Sequence, residues 1–184
     1  MASYVFDAKS SQLTVQAFAL GMAGIADHRP RFLVQDFAGE AEFNREDLEG
    51  GSVQLTAKVA SLEIMDDVTQ SDRRAINQVM FGDVLHPQIF PELAFRSSQV
   101  SYSHVGENRY RADIAGTLLL EGIQNPQSVQ AQLILGDGSV RAYGDFRLKQ
   151  TDYRLTIASV AGGMLQIGDE LKFVFFIVAR ERAA

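Results

Sequence analysis

Apolar and polar residues alternate along most of this chain. Val53, Leu55, Ala57 and Val59 are set against Gln54, Thr56 and Lys58, the period of two that turns successive side chains to opposite faces of a strand. Leu13–Leu20 repeats it, with Leu13, Val15, Ala17 and Ala19 on one face and Thr14, Gln16, Phe18 and Leu20 on the other. Strands are predicted at Tyr4–Asp7, Leu13–Leu20, Phe32–Phe43, Val53–Leu62, Glu92–Tyr102, Arg109–Leu120, Ser128–Leu135, Val140–Gln150, Tyr153–Ala158 and Glu170–Ala179. Asp36 and Gly39 interrupt the third of these, where a bulge or strong bend is expected. Turn signals fall at Gly21–Pro30, Asn44–Ser52, Gly106-Glu107-Asn108, Asn125-Pro126, Gly136-Asp137-Gly138 and Gly162-Gly163.

Between Met65 and Leu85 the period changes. Ile76, Val79 and Met80 stand at helical spacing, and Ser71 is a fair N-cap with Asp72 in the first turn. The helix gives way to Met80–Ser97, an irregular turn set by Pro87 and Pro91 that runs into a strand. One helix and its cap among many strands point to an antiparallel sandwich or barrel, plugged or covered at this segment. A length of 184 residues suits a single domain, 1–184. No linker or internal repeat divides it.

Composition narrows the partners. A formal net charge of -6 argues against a general nucleic-acid binder and, more weakly, against docking on anionic lipid. The absence of cysteine removes disulfides, thiol nucleophiles and thiolate metal sites. The N-terminal MASYVFDAKS has no basic region followed by an apolar stretch, which favours the cytoplasm. The longest dense apolar run, Phe173–Ala179, falls far short of the roughly 20 residues of a membrane-spanning helix, so no integral membrane association is expected.

Motifs of catalysis are missing. There is no G-x-S-x-G elbow, phosphate loop or dinucleotide fingerprint, and His28, His86 and His104 lack metal-ligand spacing. Asp66-Asp67 are candidates for paired carboxylates, or else sit in a solvated turn before the helix, the commoner outcome. Arg73 and Arg74 are candidates for holding a carboxylate or phosphate, or else lie on the exposed helix face. Phe18, Phe32, Phe37, Met65, Met80, Phe81, Phe90 and Phe95 fit a packed core and an apolar cavity equally well. A closed eight-stranded barrel has an interior wide enough for one small ligand unless side chains fill it.

The order of FPELAFRS, YRADIAGTLLLEGI and RLKQTDYRLTIASVAGGMLQIGDELKFVFFIVAR resembles the YceI-like family of lipocalin-like, polyisoprenoid-binding proteins. Its motifs are P-x-L-x-F-x-S at Pro91–Ser97, G-x-L-x-L-x-G at Gly116–Gly122 and the closing Asp169-Glu170-Leu171 strand. The resemblance implies an all-β fold: an antiparallel eight-stranded lipocalin-like barrel with one short helix and an irregular capping segment. It also implies an apolar tunnel for a prenyl chain, such as that of a quinone or prenyl phosphate, and no other cofactor. Tail contacts are then expected from Phe18, Met65, Met80, Phe81, Phe95 and Tyr153, with Arg73, Arg74 or His28 near a polar head.

The chain departs from the family pattern in three places. Asp27-His28 stands where a Gly-His pair is usual, Glu121-Gly122 replaces a His-Gly pair, and Asp152-Tyr153-Arg154 replaces Asp-Phe-Gly. His28 and Glu121 remain a candidate hydrogen-bonded couple. Two functions follow: a non-enzymatic carrier of an apolar small molecule, or a structural or interaction module with a filled core. The second draws on Phe173–Val178, apolar on both faces, which a homodimer interface or the helix would cover. A hydrolase or isomerase built on His28 and a carboxylate has the least support.

Overall fold

A sheet with one apolar face needs a second wall to bury against, and it finds one by closing on itself. The computed structural model describes residues 1–21, 29–44, 46, 50–160 and 165–183. Its strands are β1 (Ala2–Phe6), β2 (Gln12–Gly21), β3 (Arg31–Val34), β4 (Phe37–Phe43), β5 (Ser52–Lys58), β6 (Leu62–Ile64), β7 (Glu92–Gly106), β8 (Arg109–Leu120), β9 (Ile123–Gly136), β10 (Ser139–Lys149), β11 (Ser159–Val160) and β12 (Leu165–Glu181). The ring β1–β4–β5–β7–β8–β9–β10–β12 returns to β1 and closes an eight-stranded antiparallel barrel. The long β12 supplies the closure twice: Ala179–Glu181 pair with β1, and Leu165–Phe176 pair with β2.

Three strands of the wall are broken in the middle, and the breaks decide the shape. β1 passes into β2 through the 3-10 turn Ala8–Ser10, β3 into β4 at Gln35 and Asp36, and β5 into β6 through the 3-10 turn Val59–Ser61. Ser61 ties two of these breaks together. Its hydroxyl donates to the Lys58 carbonyl at 2.7 Å and accepts the Asp36 N–H at 3.0 Å. The bend expected at Asp36 is therefore present. Gly39 instead stays in register with Leu55, and its missing Cβ makes room for the Phe6 ring, which would lie 2.4 Å away.

Below the breaks β5 pairs with β7, Gln54–Lys58 against Arg96–Glu92. Above them β6 pairs with β3, and no pairing joins it to β7 among the described residues. The gap is crossed by helix α1 (Gln70–Val79), the π-helical turn Met80–Val84 and an irregular segment to Pro91. Thr69, two residues before the expected cap, starts the helix. Its hydroxyl accepts the Asp72 N–H at 3.1 Å and donates to the Asp72 carboxylate at 2.7 Å.

Two expected elements are corrected. β9 begins at Ile123 and runs through Pro126, so Asn125-Pro126 is not the turn. The turn is Glu121-Gly122, with φ of 50° and 74°, the positive pair that a two-residue type I′ hairpin demands. Pro126 is tolerated because β9 has only β8 beside it there; its pairing with β10 stops at Gln130. Tyr153–Ala158 is not a strand either. Gln150–Tyr153 form a 3-10 turn, Arg154 takes a left-handed φ of 56°, and the Leu155 N–H donates back to the Gln150 carbonyl at 3.1 Å.

Phe173 and Ile177 point inward at 4% and 5% exposure, whereas Val174 and Phe176 stay 40% and 42% exposed on the outer face. α1 does not cover them. The Gly162-Gly163 turn and most of the Gly21–Pro30 connection lie outside the described residues.

Candidate functional site

The inward positions of the broken strands line a space that no side chain fills. Leu13 and Val15 of β2, Phe32 and Val34 of β3, and Ile64 of β6 form one wall of a chamber of about 990 Å³. Ala75, Ile76, Val79 and Met80 close the opposite side. α1 is amphipathic yet has no buried residue. Its apolar stripe meets the chamber instead of a packed core.

A second, narrower cavity of about 130 Å³ continues toward the fully paired end of the barrel, between Phe95, Phe175 and Tyr102. Leu13, Leu93 and Phe173 border both spaces. Phe173 is held at this waist by stacking on Phe146, with centroids 4.7 Å apart and planes 9° from parallel.

Polar groups are few. Lys58, Asp72 and Gln150 are the polar residues among the described lining. The Lys58 ammonium bonds the Glu92 carboxylate, which raises its pKa, and its side chain is half exposed at the rim. Asp72 is exposed and committed to the helix start. Gln150 is different. It is 4% exposed, and its amide donates to the Gly168 carbonyl at 2.8 Å. Gly168 lies where β12 bulges against β2, between Ile167 and Leu171. Asp169 pins the same turn by accepting the Thr151 hydroxyl at 2.7 Å and the Thr151 N–H at 2.8 Å, bonds that hold its carboxyl below the usual range.

The cap is fastened by a pair the sequence reading did not match. Glu121 accepts the His86 backbone N–H at 3.0 Å, and its second oxygen lies 2.9 Å from His86 Nδ1. An acceptor there is matched by a proton on Nδ1, which then donates to the carboxylate. The Glu121 side chain is 7% exposed, against 45% for His86. Next to it, a Cβ on Gly122 would fall 2.7 Å from the Phe90 ring. The β8–β9 turn thus grips the His86–Phe90 segment at both ends. The useful signal was the exchange of the family's histidine for Glu121, which calls for a donor elsewhere.

The predicted site residues scatter. Met80 lines the wide chamber and Phe95 the narrow one. Phe18 faces outward, its ring lying under Arg29 and Arg147 with guanidinium carbons 5.9 and 5.6 Å from the centroid. Alternation leaves Leu13, Val15 and Ala17 as the inward set. Met65 is 38% exposed, Phe81 is half-buried, and neither is among the described lining residues. Tyr153 is buried in the core under the chamber, and burial raises the pKa of its phenol.

Arg73 is used at home: it reaches the Glu63 carboxylate at 3.3 Å and the Ile64 carbonyl at 3.1 Å. Arg74 is exposed on the helix. His28, and with it the expected couple with Glu121, lies outside the described residues; the imidazole that meets Glu121 among the described residues is His86. Among the described residues no three His, Asp or Glu side chains converge in a metal-binding group, and no helix is long and apolar enough to cross a membrane.

Residues 4–179 match the model of the YceI-like domain, and the chain belongs to that family. It is 24% identical over 162 residues to a UPF0312 protein of Vibrio parahaemolyticus, covering 85% of this chain and 79% of the relative. Solved structures share the fold at lower identity. BcnA of Burkholderia cenocepacia matches at a TM-score of 0.73 and 18% identity, over 94% of this chain and 98% of its own. A polyisoprenoid binding domain from Saccharophagus degradans matches at 0.70 and 16%, over 99% and 100%. The Campylobacter jejuni YCEI protein matches at 0.61 and 13%, over 90% and 89%.

Proposed function

We propose that this YceI-like chain is a non-enzymatic binding protein that holds and carries an isoprenoid-like or other lipidic small molecule in its barrel. One observation carries the reading: an amphipathic helix lies with its apolar stripe over a chamber of about 990 Å³ whose walls are almost wholly hydrocarbon. A protein interior is close-packed when its own side chains are the filling. Burial of a tail worth about 0.8 kcal/mol per methylene supplies the missing partner for both walls. The polyisoprenoid binding domain that shares the fold supports the same ligand class.

Native mass spectrometry of the purified protein, followed by organic extraction, tests this directly. A released lipid of prenyl-like mass supports the reading. If the delipidated protein then takes up neither a prenyl quinone nor a prenol, the reading fails. Ile76→Phe, which projects a ring into the chamber, is expected to weaken uptake by about tenfold or more while leaving the barrel folded.

A second reading, a self-associating module, is favoured by the outer-face cluster of Tyr143, Val174 and Phe176, whose exposures are 39%, 40% and 42%. Tyr143 and Phe176 are register partners across β10 and β12. A sedimentation series that shows monomer at every concentration excludes it.

A further inference from the structure

The polar content of the chamber selects among lipids. We infer that the lipid held here has a neutral head, that Gln150 meets it through a hydrogen bond to an alcohol, carbonyl or amide oxygen, and that a prenyl phosphate of the same tail is disfavoured. This rests on the lipid-binding reading above.

Among the polar residues of the described lining only Gln150 is buried, at 4% exposure. A primary amide carries two N–H donors and an acceptor oxygen. The bond to the Gly168 carbonyl uses one donor and fixes the amide against the β12 bulge. Its turn is fixed in turn by the Thr151 bonds to Asp169 and by the Leu155 N–H on the Gln150 carbonyl. The remaining donor and acceptor capacity is held in place beside hydrocarbon walls. Polar groups in that setting gain most from a ligand atom that completes them.

Charge points the same way. Lys58 and Asp72 are the charged residues in the described lining, and they cancel. Lys58 is in addition already bound to Glu92. Arg73 and Arg74 stand between lining positions of α1, but neither is in the described lining: Arg73 is bonded to Glu63 and the Ile64 carbonyl, and Arg74 is exposed. An ionised phosphate drawn into this chamber meets no surplus cation among the described lining residues, and an unpaired charge in apolar surroundings is strongly unfavourable. A neutral head loses little on entry and regains it at Gln150.

The test compares three lipids sharing one tail: a prenol, its diphosphate and the hydrocarbon that lacks a head. Each is titrated against delipidated wild type and Gln150→Leu by displacement of a bound fluorescent fatty alcohol. Wild type is expected to bind the prenol about tenfold or more tighter than the diphosphate. Gln150→Leu is expected to lower prenol affinity about tenfold and to leave the hydrocarbon unchanged, the control for an intact chamber.

Equal or tighter binding of the diphosphate by wild type overturns the inference with no reliance on a variant. An equal loss for all three lipids in Gln150→Leu overturns the role of Gln150, because that pattern reports a damaged bulge. If wild type binds none of the three, lipid binding itself is refuted, an outcome distinct from a reversed ranking among lipids that do bind.

Discussion

The two ends of this barrel are built from the same alternating strands and come out opposite. At the narrow end Tyr4 stacks on Phe43 with centroids 4.7 Å apart and planes 5° from parallel, and Tyr102 leans on Phe43 at 6.4 Å. Ala112 and Ala131 are 1% and 3% exposed beside them. At the wide end a helix with no buried residue covers about 990 Å³ of unfilled space. Strand pairing makes the difference. Where β5 meets β7 the ring is complete, and inward side chains from facing walls reach one another. Where β6 leaves β7 unpaired, the walls part and a helix bridges them without filling the space between.

Burial of apolar surface is therefore a stability device at one end and a binding device at the other. The largest expected effect breaks that division directly. Leu118, 0% exposed in the main core, is expected to cost about 2–5 kcal/mol as Leu118→Ala. Ile76→Ala on the lid is expected to cost about 1 kcal/mol or less, because the methyl groups removed already border a cavity. Denaturant melts of the two variants without ligand measure the contrast, and equal losses would mean that the chamber is collapsed in solution.

Next in size is the clasp. Glu121→Ala removes the acceptor of both His86 bonds and is expected to cost about 1–2 kcal/mol. Glu121 sits at a φ of 50°, where a Cβ is strained; alanine keeps that strain, whereas Glu121→Gly relieves it and is expected to be the milder variant. Hydrogen exchange should rise in the His86–Phe90 segment, where Ile89 and Phe90 both donate to the His86 carbonyl, and stay unchanged at the narrow end.

The last contrast is in the pH dependence, whose effects are confined to the alkaline and acid extremes. Burial pushes the Tyr102 phenol at the narrow end up to about 12 from 10.0. The folded chain keeps that proton longer than the unfolded chain, so its contribution is intact below pH 10.0 and lost as pH rises toward about 12. Tyr102→Phe should reduce the alkaline limb in a series of thermal melts, though only in part, because Tyr153 and Lys58 are raised in the same direction. Asp169, beside the chamber, is lowered from 3.8 chiefly by the Thr151 hydroxyl. Its contribution is present above 3.8 and lost as pH falls below it. Asp169→Asn should flatten the acid limb only in part, because Asp7, bound by Arg180 and Ser10, is lowered in the same direction.

Much of the architecture was legible in the residues. The alternation in Val53–Val59 and Leu13–Ala19, the helical spacing of Ile76, Val79 and Met80, and the break at Asp36 are local signals. The misses came where a local signal had two outcomes. Asn125-Pro126 reads as a turn until β8 pairs through it and Glu121-Gly122 takes the positive φ angles instead. Phe18 looks like a tail contact until the register turns Ala17 inward and leaves the Phe18 ring against the guanidinium groups of Arg29 and Arg147. Gln150 carries no motif. Its burial depends on Gly168, 18 residues away, standing in a bulge.

By itself the sequence determined most of the strands, the one α-helix, the absence of disulfides and the family. These follow from side-chain sterics, proline and glycine dihedrals and a period of two or 3.6, all of which act between near neighbours. Only the tertiary structure decided which face of each strand looks inward, that β5 closes on β7 while β6 does not, and that Glu121 meets His86 across 35 residues. A period-two pattern is unchanged when both faces exchange roles, so inside and outside are set by long-range pairing. The unfilled chamber follows from that pairing.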